Sequence, residues 1–324
     1  MKTFVIGKND AGQRLDKFIL KACRSMPPSM MYKYIRTKKI KVNRKRAEIS
    51  QMLSEGDTVE LFVKEEFLTS EKTELFKNIK PTFSVIYEDK NIIVCDKPVG
   101  LLCHSDTDGE QNTLIEQVKA YLWRRGEYVP DEENSFAPAL CNRIDRNTAG
   151  IVFAAKNAEA LRVMNEKIKT RRISKYYLCM VHGKMEKKSD TLRGYLIKDS
   201  KTNKVTVSRV PLRGHERESL EIVTKYRVLH FDGHDSVLEI ELVTGRTHQI
   251  RAHLASIGHP LVGDGKYAEN KADRARGYSH QALYSYRSVF EADEPSVLSY
   301  LDGKSFSIPL EEVPFLDGKD IFFP

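Results

Sequence analysis

The 324-residue sequence predicts an α+β protein with two domains, and three observations support this prediction. The length is about twice that of an average domain. A strongly basic segment gives way near residue 64 to a charged stretch that has no clear hydrophobic period. From Pro81 onward, apolar patterns typical of β-strands dominate, with a few helical patterns between them. We therefore expect a small basic α/β module at 1–64, a linker at 65–80 and a larger strand-rich domain at 81–324.

The chain carries a formal net charge of +8 at pH 7. Positive charge of this size favours a polyanionic partner, either a nucleic acid or an anionic membrane surface. No apolar run approaches the roughly 18 residues that a membrane-spanning helix needs. The first ten residues are too polar to resemble a signal peptide. We therefore expect a cytoplasmic protein with no membrane partner.

The N-terminal module is predicted to fold as two helices on a small sheet. Apolar residues at helical spacing indicate one helix around Phe18 and a second that begins after two prolines, with Ser29 as its N-cap. Short strands are predicted at 39–43 and 58–63. The module is therefore small, and its surface must carry most of its charge.

That surface is unusually basic. Between positions 14 and 46 the chain has twelve Lys or Arg residues and a single acid, Asp16. A bias this strong favours contact with RNA or DNA over the alternative of a merely solvated charged face. The module residues that we expect to contact RNA are Lys33, Arg36, Lys38, Lys39 and Arg44.

The larger domain is predicted to begin with a hairpin of strands 83–87 and 92–95, followed by a turn at 97–100. The elements after this turn alternate in type along the chain. They are a helix at 114–122, a strand at 151–155, a helix from Asn157 onward, a strand at 175–181 and a half-buried strand at 237–242.

Cysteines and histidines do not form a recognisable metal motif. The five cysteines are scattered and none forms a CxxC pair, so we expect reduced, mostly buried thiols rather than disulfides or structural zinc. His248, His253 and His259 lie close in sequence, but the first two are five residues apart and no HExxH motif is present. We therefore predict that the protein needs no metal.

The strongest candidate for chemistry is segment 142–150, Asn-Arg-Ile-Asp-Arg-Asn-Thr-Ala-Gly. Its carboxylate, Asp145, lies between Arg143 and Arg146, and cations on both sides favour the charged form of an acid. A nucleophile or a base requires that form. Cys141 lies nearby, but no Cys/His/Asn arrangement supports an active thiol. The segment alone leaves open the alternative of a solvated surface loop.

A second segment, 242–264, places an arginine near the start of a helix. A strand is predicted to end at Gly245, and a helix to begin near Thr247 and to end before Gly258. Arg251 falls in the first turns of this helix, beside a buried face that includes Ile257. A buried guanidinium needs a partner. The sequence leaves open whether that partner is a catalytic carboxylate or a structural acid of the core.

Two neighbouring tyrosines, Tyr176 and Tyr177, form a third candidate in strand 175–181. Adjacent residues of a strand point to opposite faces. One tyrosine is therefore expected in the core and the other at a cleft. Periodicity does not decide which, and a core position for both is the default.

These three segments, in this order, resemble the motifs of the RluA-type pseudouridine synthases, as does the Lys-Pro-Val-Gly turn at 97–100. The block Thr-Gly-Arg-Thr-His-Gln-Ile-Arg at 244–251 is highly specific. The resemblance extends from about residue 83 to the C-terminus. The N-terminal module resembles a small RNA-binding domain first described in a ribosomal small-subunit protein, which often precedes this catalytic domain.

The resemblance implies a catalytic domain on a mixed, mainly antiparallel sheet, and an isomerase that converts uridine in RNA to pseudouridine without a cofactor. It implies Asp145 as the catalytic aspartate and Arg251 as the arginine that pairs with it. Tyr177, rather than Tyr176, matches the Lys-x-Tyr-Leu pattern of the family and is implied as a base or relay. The implied RNA contacts of this domain are Arg143, Arg246 and His248.

Three positions depart from the signature of the family: Asn142 stands where His is usual, Ile144 where Leu is usual and Ala149 where Ser is usual. Asn142 puts substrate choice in doubt more than it does the chemistry. The resemblance favours large-subunit ribosomal RNA as the substrate of a monomeric enzyme. The alternatives are a transfer-RNA pseudouridine synthase and a non-catalytic RNA-binding or ribosome-assembly protein.

Overall fold

The computed structural model describes residues 1–68, 75–106, 109–199, 202, 204–319 and 321. Within these residues the chain forms helices, strands and short 3₁₀ turns. The α-helices are Leu15–Ala22 (α1), Pro28–Arg36 (α2), Leu114–Arg124 (α3), Ala158–Lys169 (α4), Gln249–Ser256 (α5) and Lys271–Ala275 (α6). The strands are Lys2–Val5 (β1), Ile40–Val42 (β2), Lys45–Arg46 (β3), Thr58–Leu61 (β4), Ser84–Glu88 (β5), Ile92–Lys97 (β6), Ala139–Leu140 (β7), Ala149–Ala155 (β8), Ile173–His182 (β9), Ser189–Asp199 (β10), Lys204–Ser208 (β11), Leu220–Phe231 (β12), Asp235–Leu242 (β13), Leu283–Phe290 (β14) and Ser305–Ser307 (β15).

The N-terminal sheet has four antiparallel strands in the order β1-β4-β2-β3. Helices α1 and α2 cover it, and their apolar faces bury Phe18 and Met31 completely. Ser29 is not the N-cap of α2, so that prediction was wrong. The N-cap is Pro27, two residues earlier, and the helix begins at Pro28. The fixed φ of proline suits the first helical position, and its missing N–H would have no partner there.

The larger sheet has its main strands in the order β11-β10-β12-β13-β9-β14-β8-β6-β5, with β15 paired to β14 and β7 to β8. Every pairing is antiparallel except that of β14 with β8. The predicted mixed, mainly antiparallel sheet and the α+β class are therefore confirmed. The predicted hairpin is β5–β6, and the helix predicted from Asn157 is α4, whose first turn that asparagine caps.

Hydrophobic clusters cover both faces of the larger sheet. One gathers around Phe153 and Phe290, and the other around Ile240 and Leu254. Strand β13 was predicted to be half-buried, which was wrong, because residues 235–240 are all buried. Its polar residue Glu239 is buried and pairs with Arg227 and Arg287 instead of facing water.

Gly150 allows the parallel pair of β8 and β14 to form directly after the 142–149 loop. Its φ is +111°, and a Cβ at this position would lie 2.1 Å from the carbonyl oxygen of Ser285. Only glycine permits so close an approach of two backbones. The loop that carries Asp145 therefore ends where β14 comes nearest.

Helix α5 ends as the sequence indicates. Gly258 follows it with φ +86°, and its N–H donates to the carbonyl oxygen of Ala255. Ile257 was predicted on the buried face but is 40% exposed, so that prediction was wrong. It follows the last helical residue, where the turn towards Gly258 carries it off the face formed by Ile250 and Leu254.

The N-terminal module contacts the larger domain through a buried acid, Asp10, which is 2% exposed. Its two carboxylate oxygens accept hydrogen bonds from Ser135 Oγ at 2.6 Å and Asn134 Nδ2 at 2.7 Å. The predicted linker contains 3₁₀ turns at Glu65–Phe67 and Leu75–Asn78, and its residues 69–74 lie outside the described residues. The domain boundaries stay a prediction. No described helix is both long and apolar enough to cross a membrane.

Candidate active site

Asp145 lies in the loop between β7 and β8, and its side chain is 26% exposed. The loop is anchored by Lys97, which lies at the end of β6 and is completely buried. The Nζ of Lys97 donates to the carbonyl oxygens of Arg146 at 3.0 Å, Leu101 at 2.8 Å and Pro98 at 2.9 Å. Burial lowers the pKa of Lys97 to about 8, although Asp145 and other nearby acids partly oppose this. The three bonds tie the turn at 97–101 to the residue next to Asp145.

Arg251 reaches Asp145 from α5, 106 residues further along the chain. Its Nη1 donates to Oδ2 of Asp145 at 3.0 Å. Its other face forms two hydrogen bonds with Asp264, from Nε at 2.7 Å and from Nη2 at 2.9 Å. Arg251 therefore bridges a fully buried carboxylate and a partly exposed one. Both partners that the sequence left open, a catalytic candidate and a core acid, are present.

The buried half of this arrangement holds the guanidinium in place. Burial alone would raise the pKa of Asp264, but hydrogen bonds and charge from Arg251, with backbone N–H groups of Lys266 and Tyr267, hold it below its usual value. Burial likewise opposes the charge on Arg251, yet Asp264 and Asp145 raise its pKa overall. A bidentate arginine–carboxylate pair of this kind fixes orientation as well as charge.

Within the described residues, Oδ1 of Asp145 makes no hydrogen bond, whereas Oδ2 is held by Arg251. The carboxylate is thus fixed through one oxygen, and the side chain stays partly exposed. His248 lies beside it, with its Nε2 3.9 Å from Oδ2.

The two arginines next to Asp145 in sequence do not pair with it in the described structure. Arg146 turns away to Glu110, at 2.9 Å, and donates through Nε to the carbonyl oxygen of Gly100. Arg143 is exposed and makes no ion pair with a described residue. The cation that contacts Asp145 is therefore the distant Arg251 rather than its chain neighbours.

The paired tyrosines point to opposite faces of β9. Tyr177 is 5% exposed and lies in the hydrophobic cluster under the Asp145 loop. Burial raises its pKa to about 12; the neighbouring hydroxyl of Ser285 partly opposes this, and the charge of Asp145 adds to it. Tyr176 lies on the other face, where the guanidinium of Arg287 stacks 3.9 Å from its ring centre. The core position that was expected by default for both tyrosines therefore holds for Tyr177, whereas Tyr176 is only half-buried.

Asn142 ties the Asp145 loop to β8. Its Oδ1 accepts from the backbone N–H of Phe153 at 2.8 Å, and its Nδ2 donates to the carbonyl oxygen of Ile151 at 3.5 Å. Asn142, which stands where the family usually has His, thus helps to hold the loop in place in this structure. Cys141 is largely buried, and burial raises the pKa of its thiol to about 12, which argues against an active thiol.

The remaining candidate RNA contacts are all exposed cations. They are Arg246 before α5, and Lys33, Arg36, Lys38, Lys39 and Arg44 on the N-terminal module. The contacts that attach the module to the larger domain come from other residues, around Asp10, so these cations stay open to a partner.

The three histidines close in sequence have separate partners. His248 bonds to Tyr267, His253 to Thr224 and His259 to the backbone of His182. A different set of possible metal ligands, His182, His234 and Asp235, lies at the far end of β9. There the ring nitrogens of His182 already face Asp235 and Asp273, at 3.2 and 3.0 Å.

Sequence reasoning missed four residues of the site: Lys97, Asp264, Tyr267 and Ser285. Lys97 and Asp264 lie inside segments that were singled out, and a lysine or acid predicted to be buried is a usable signal because it needs partners. Tyr267 and Ser285 carry no such signal. Tyr267 reaches the site through the turn after Asp264, and Ser285 through its position opposite Tyr177 in the β9–β14 pairing.

Comparison with known proteins connects this geometry to one family. Residues 91–256 match the model of the RNA pseudouridylate synthases. The chain is 32% identical to an uncharacterised RNA pseudouridine synthase of Mycoplasma genitalium over 93% of each protein. It is 30% identical to the ribosomal large subunit pseudouridine synthase C of Vibrio cholerae, over 83% of this chain and 81% of that protein.

Solved structures share the fold at lower identity. The human RNA pseudouridylate synthase domain containing 4 superposes with a TM-score of 0.57 at 20% identity, over 74% of this chain and 94% of that one. The human domain containing 1 gives a TM-score of 0.55 at 22% identity, over 74% and 89%. Both matches cover about three quarters of this chain.

Proposed function

Because the chain belongs to the RNA pseudouridylate synthase family, we propose that it converts specific uridines of large-subunit ribosomal RNA to pseudouridine. Membership of the family makes the protein an isomerase that acts on uridine in RNA. The choice of large-subunit RNA rests on its relatives, several of which are named ribosomal large subunit pseudouridine synthase C. The observation that carries the mechanism is the contact of Arg251 with Asp145.

The reaction breaks the bond between ribose C1′ and uracil N1, turns the base and forms a bond from C1′ to C5. A proton leaves C5 and a proton is gained at N1, so the atoms balance without a redox step. Asp145 is the group that acts on the nucleoside, by attacking the sugar or base or by removing a ribose proton. In each case the reacting atom is Oδ1, because Arg251 already occupies Oδ2.

The role of Tyr177 in this proposal is to pass on the proton that leaves C5. With a pKa raised to about 12, its hydroxyl is neutral near pH 7, so it acts as a relay rather than as a phenolate base. Ser285, which lies opposite Tyr177 in the β9–β14 pairing, provides the next hydroxyl of such a relay.

A uridine inside a helix cannot reach Asp145, so the target must be flipped out at a cost of roughly a few kcal/mol. Arg143 is exposed, unpaired among the described residues and two positions from Asp145. Its guanidinium fills the space left by the base and offsets part of the cost. The exposed cations of the N-terminal module supply phosphate contacts and a salt-dependent part of the affinity.

The test is a map of pseudouridine in purified RNAs. Large-subunit ribosomal RNA, small-subunit ribosomal RNA and transfer RNA are incubated separately with the wild type, Asp145→Ala and the surface control Asp131→Ala. We expect product at one or a few uridines of large-subunit RNA with the wild type and the control, and none with Asp145→Ala.

Modification of transfer RNA alone would overturn the proposal that large-subunit ribosomal RNA is the substrate. Product from Asp145→Ala would overturn the role of the aspartate. If no enzyme gives product while wild type and Asp145→Ala bind RNA equally, the non-catalytic alternative replaces this proposal.

A further inference from the structure

His248 has a backbone conformation that needs an explanation. Its φ is 53° and its ψ is 20°, in the left-handed region directly before α5. Residues other than glycine adopt this region rarely, and they tend to do so at functional sites. His248 is not a conventional helix cap, because its side chain makes no capping hydrogen bond. The side chain is instead held by a contact outside the helix.

That contact is a chain of hydrogen bonds whose direction is fixed at one end. The backbone N–H of Val205 lies 3.1 Å from the phenol oxygen of Tyr267, and an N–H can only donate. The same oxygen lies 2.9 Å from Nδ1 of His248. Among the described residues the phenol proton has no other acceptor. Donation from Tyr267 to Nδ1 gives this proton an acceptor within the protein, and we assign Nδ1 as the unprotonated nitrogen on that ground.

The surroundings of His248 favour its neutral form. Burial is the main cause that lowers its pKa, to about 4, and the charges of Arg251 and Lys266 add to this while Asp145 and Asp264 oppose it. A neutral imidazole that accepts at Nδ1 carries its proton on Nε2.

The resulting Nε2–H is not used within the protein. It lies 3.9 Å from Oδ2 of Asp145, which is too far for a hydrogen bond, and that oxygen already accepts from Arg251. Among the described residues, no group forms a hydrogen bond with it. A donor without a hydrogen-bonding partner among the described residues therefore lies directly beside Asp145.

We propose that Tyr267 fixes His248 as a neutral donor whose Nε2–H binds a carbonyl oxygen of the target uracil. This rests on the proposed function, because the ligand is the uracil that Asp145 acts on. His248 touches the substrate, whereas Tyr267 is a positioning residue that acts through His248.

The chemistry explains why a neutral donor suits this place. When the C1′–N1 bond breaks, its electron pair stays with uracil and spreads over N1 and the carbonyl oxygens. A fixed N–H donor stabilises that developing charge more than it stabilises the neutral base. No proton is transferred in this step, so His248 is unchanged when the base turns and C5 bonds to C1′.

The first test is nitrogen-15 NMR on protein labelled in its nine histidines. His248 is assigned from the signals that vanish in His248→Gln. At pH 7 we expect one ring nitrogen of His248 without a proton, Nδ1, and one with a proton, Nε2. A proton on Nδ1, or a doubly protonated ring, would overturn the proposal. This measurement needs no substrate.

The second test is kinetic, on the RNA that the wild type modifies. Loss of a donor to developing charge typically slows a reaction by about a hundredfold, so His248→Ala should lower kcat by that order with KM nearly unchanged. Tyr267→Phe keeps the ring but removes the hydroxyl that fixes His248, and kcat should fall by about tenfold. The matched control is Tyr278→Phe, whose ring stacks on Arg276 outside the site and whose kcat should not change.

The outcomes separate the proposed function from the role of the histidine. Wild type that makes no pseudouridine defeats the proposed function, whatever the NMR result. Active wild type with an unchanged kcat in Tyr267→Phe, or a loss seen only in KM, defeats the role of Tyr267. Melting temperatures are measured alongside, because Tyr267→Phe leaves the N–H of Val205 without its acceptor.

Discussion

The catalytic centre and the N-terminal basic module both depend on cations, but they hold them differently. In the centre, Arg251 is 8% exposed and its hydrogen bonds go to two carboxylates. On the module, Lys38 and Lys39 are exposed on a short connection between α2 and β2. A reacting group needs a fixed direction, which buried pairs provide. Phosphate contacts need charge more than direction, and exposed lysines provide that.

The largest effect short of removing Asp145 is expected at Asp264. Asp264→Asn keeps the shape but leaves Arg251 without its buried partner, so the free energy of unfolding should fall by about 3 kcal/mol. The guanidinium also loses its fixed position under Asp145, and kcat should fall by about a hundredfold. Urea unfolding and single-turnover assays measure the two effects. An asparagine variant of wild-type stability would show that the buried pair contributes little.

The stability difference between wild type and Asp264→Asn should also depend on pH. The pKa of Asp264 is lowered in the folded protein, so its contribution is fully present above the unfolded value of about 4. It should be lost as the pH falls below about 4 and through the lower folded value. Urea unfolding between pH 7 and pH 3 tests this. A difference that grows on acidification would contradict the sign.

The next largest effect is expected at Lys97, which supports the loop that carries Asp145 and does not contact the carboxylate itself. Lys97→Met keeps most of the volume but removes three hydrogen bonds, including the one to the carbonyl oxygen of Arg146. We expect kcat to fall by about tenfold, with affinity for RNA retained, because a misplaced reacting group slows the chemistry. Equal losses in kcat and RNA affinity would indicate general unfolding instead.

A smaller effect is expected on the module, and it should appear in binding alone. Lys38→Gln with Lys39→Gln removes two phosphate contacts, so the slope of log affinity against log salt should fall by about 1.4 to 1.8. Lys187→Gln with Lys188→Gln is the matched control, since it removes two adjacent exposed lysines elsewhere. The rate at saturating RNA should be unchanged in both. Equal slopes for the two variants would place the RNA on another surface.

The smallest effect is expected at Cys141, close to the catalytic loop in sequence. Burial raises the pKa of its thiol to about 12, so alkylating reagents should react slowly with it at pH 7. Cys141→Ala should keep kcat within about twofold, since no step uses the thiol. Mass spectrometry after alkylation and a rate measurement check both points. Rapid loss of activity on alkylation of Cys141 would show that the thiol takes part.

The same contrast explains what could be predicted from the sequence. Local patterns identified α1, α2 and α5 and the basic surface, because helix periodicity and charge are visible within about thirty residues. The burial of β13 on both faces was not predicted, because the alternating pattern of the strand puts Glu239 on a face expected to be exposed to solvent. In the structure it pairs with Arg227 and Arg287.

The partners of the catalytic residues were harder to predict. Asp145 and Arg251 were identified through motifs, but Asp264 and Tyr267 were not. Their contacts depend on how the chain turns after α5, and no periodicity encodes that turn. Ser285 lies opposite Tyr177 through the register of the β9–β14 pairing, and Gly150 lets the same residue come close to the loop. Such long-range placement is a property of packing rather than of local pattern.

The role of Asp145 as the reacting group is tested most directly by the single-turnover rate of Asp145→Asn at saturating RNA. The substitution keeps the size of the side chain and removes its charge. We expect a rate at least about a thousandfold below that of the wild type, as for loss of a reacting group, with RNA affinity and melting temperature nearly unchanged. A rate within tenfold of the wild type would show that another group does the chemistry.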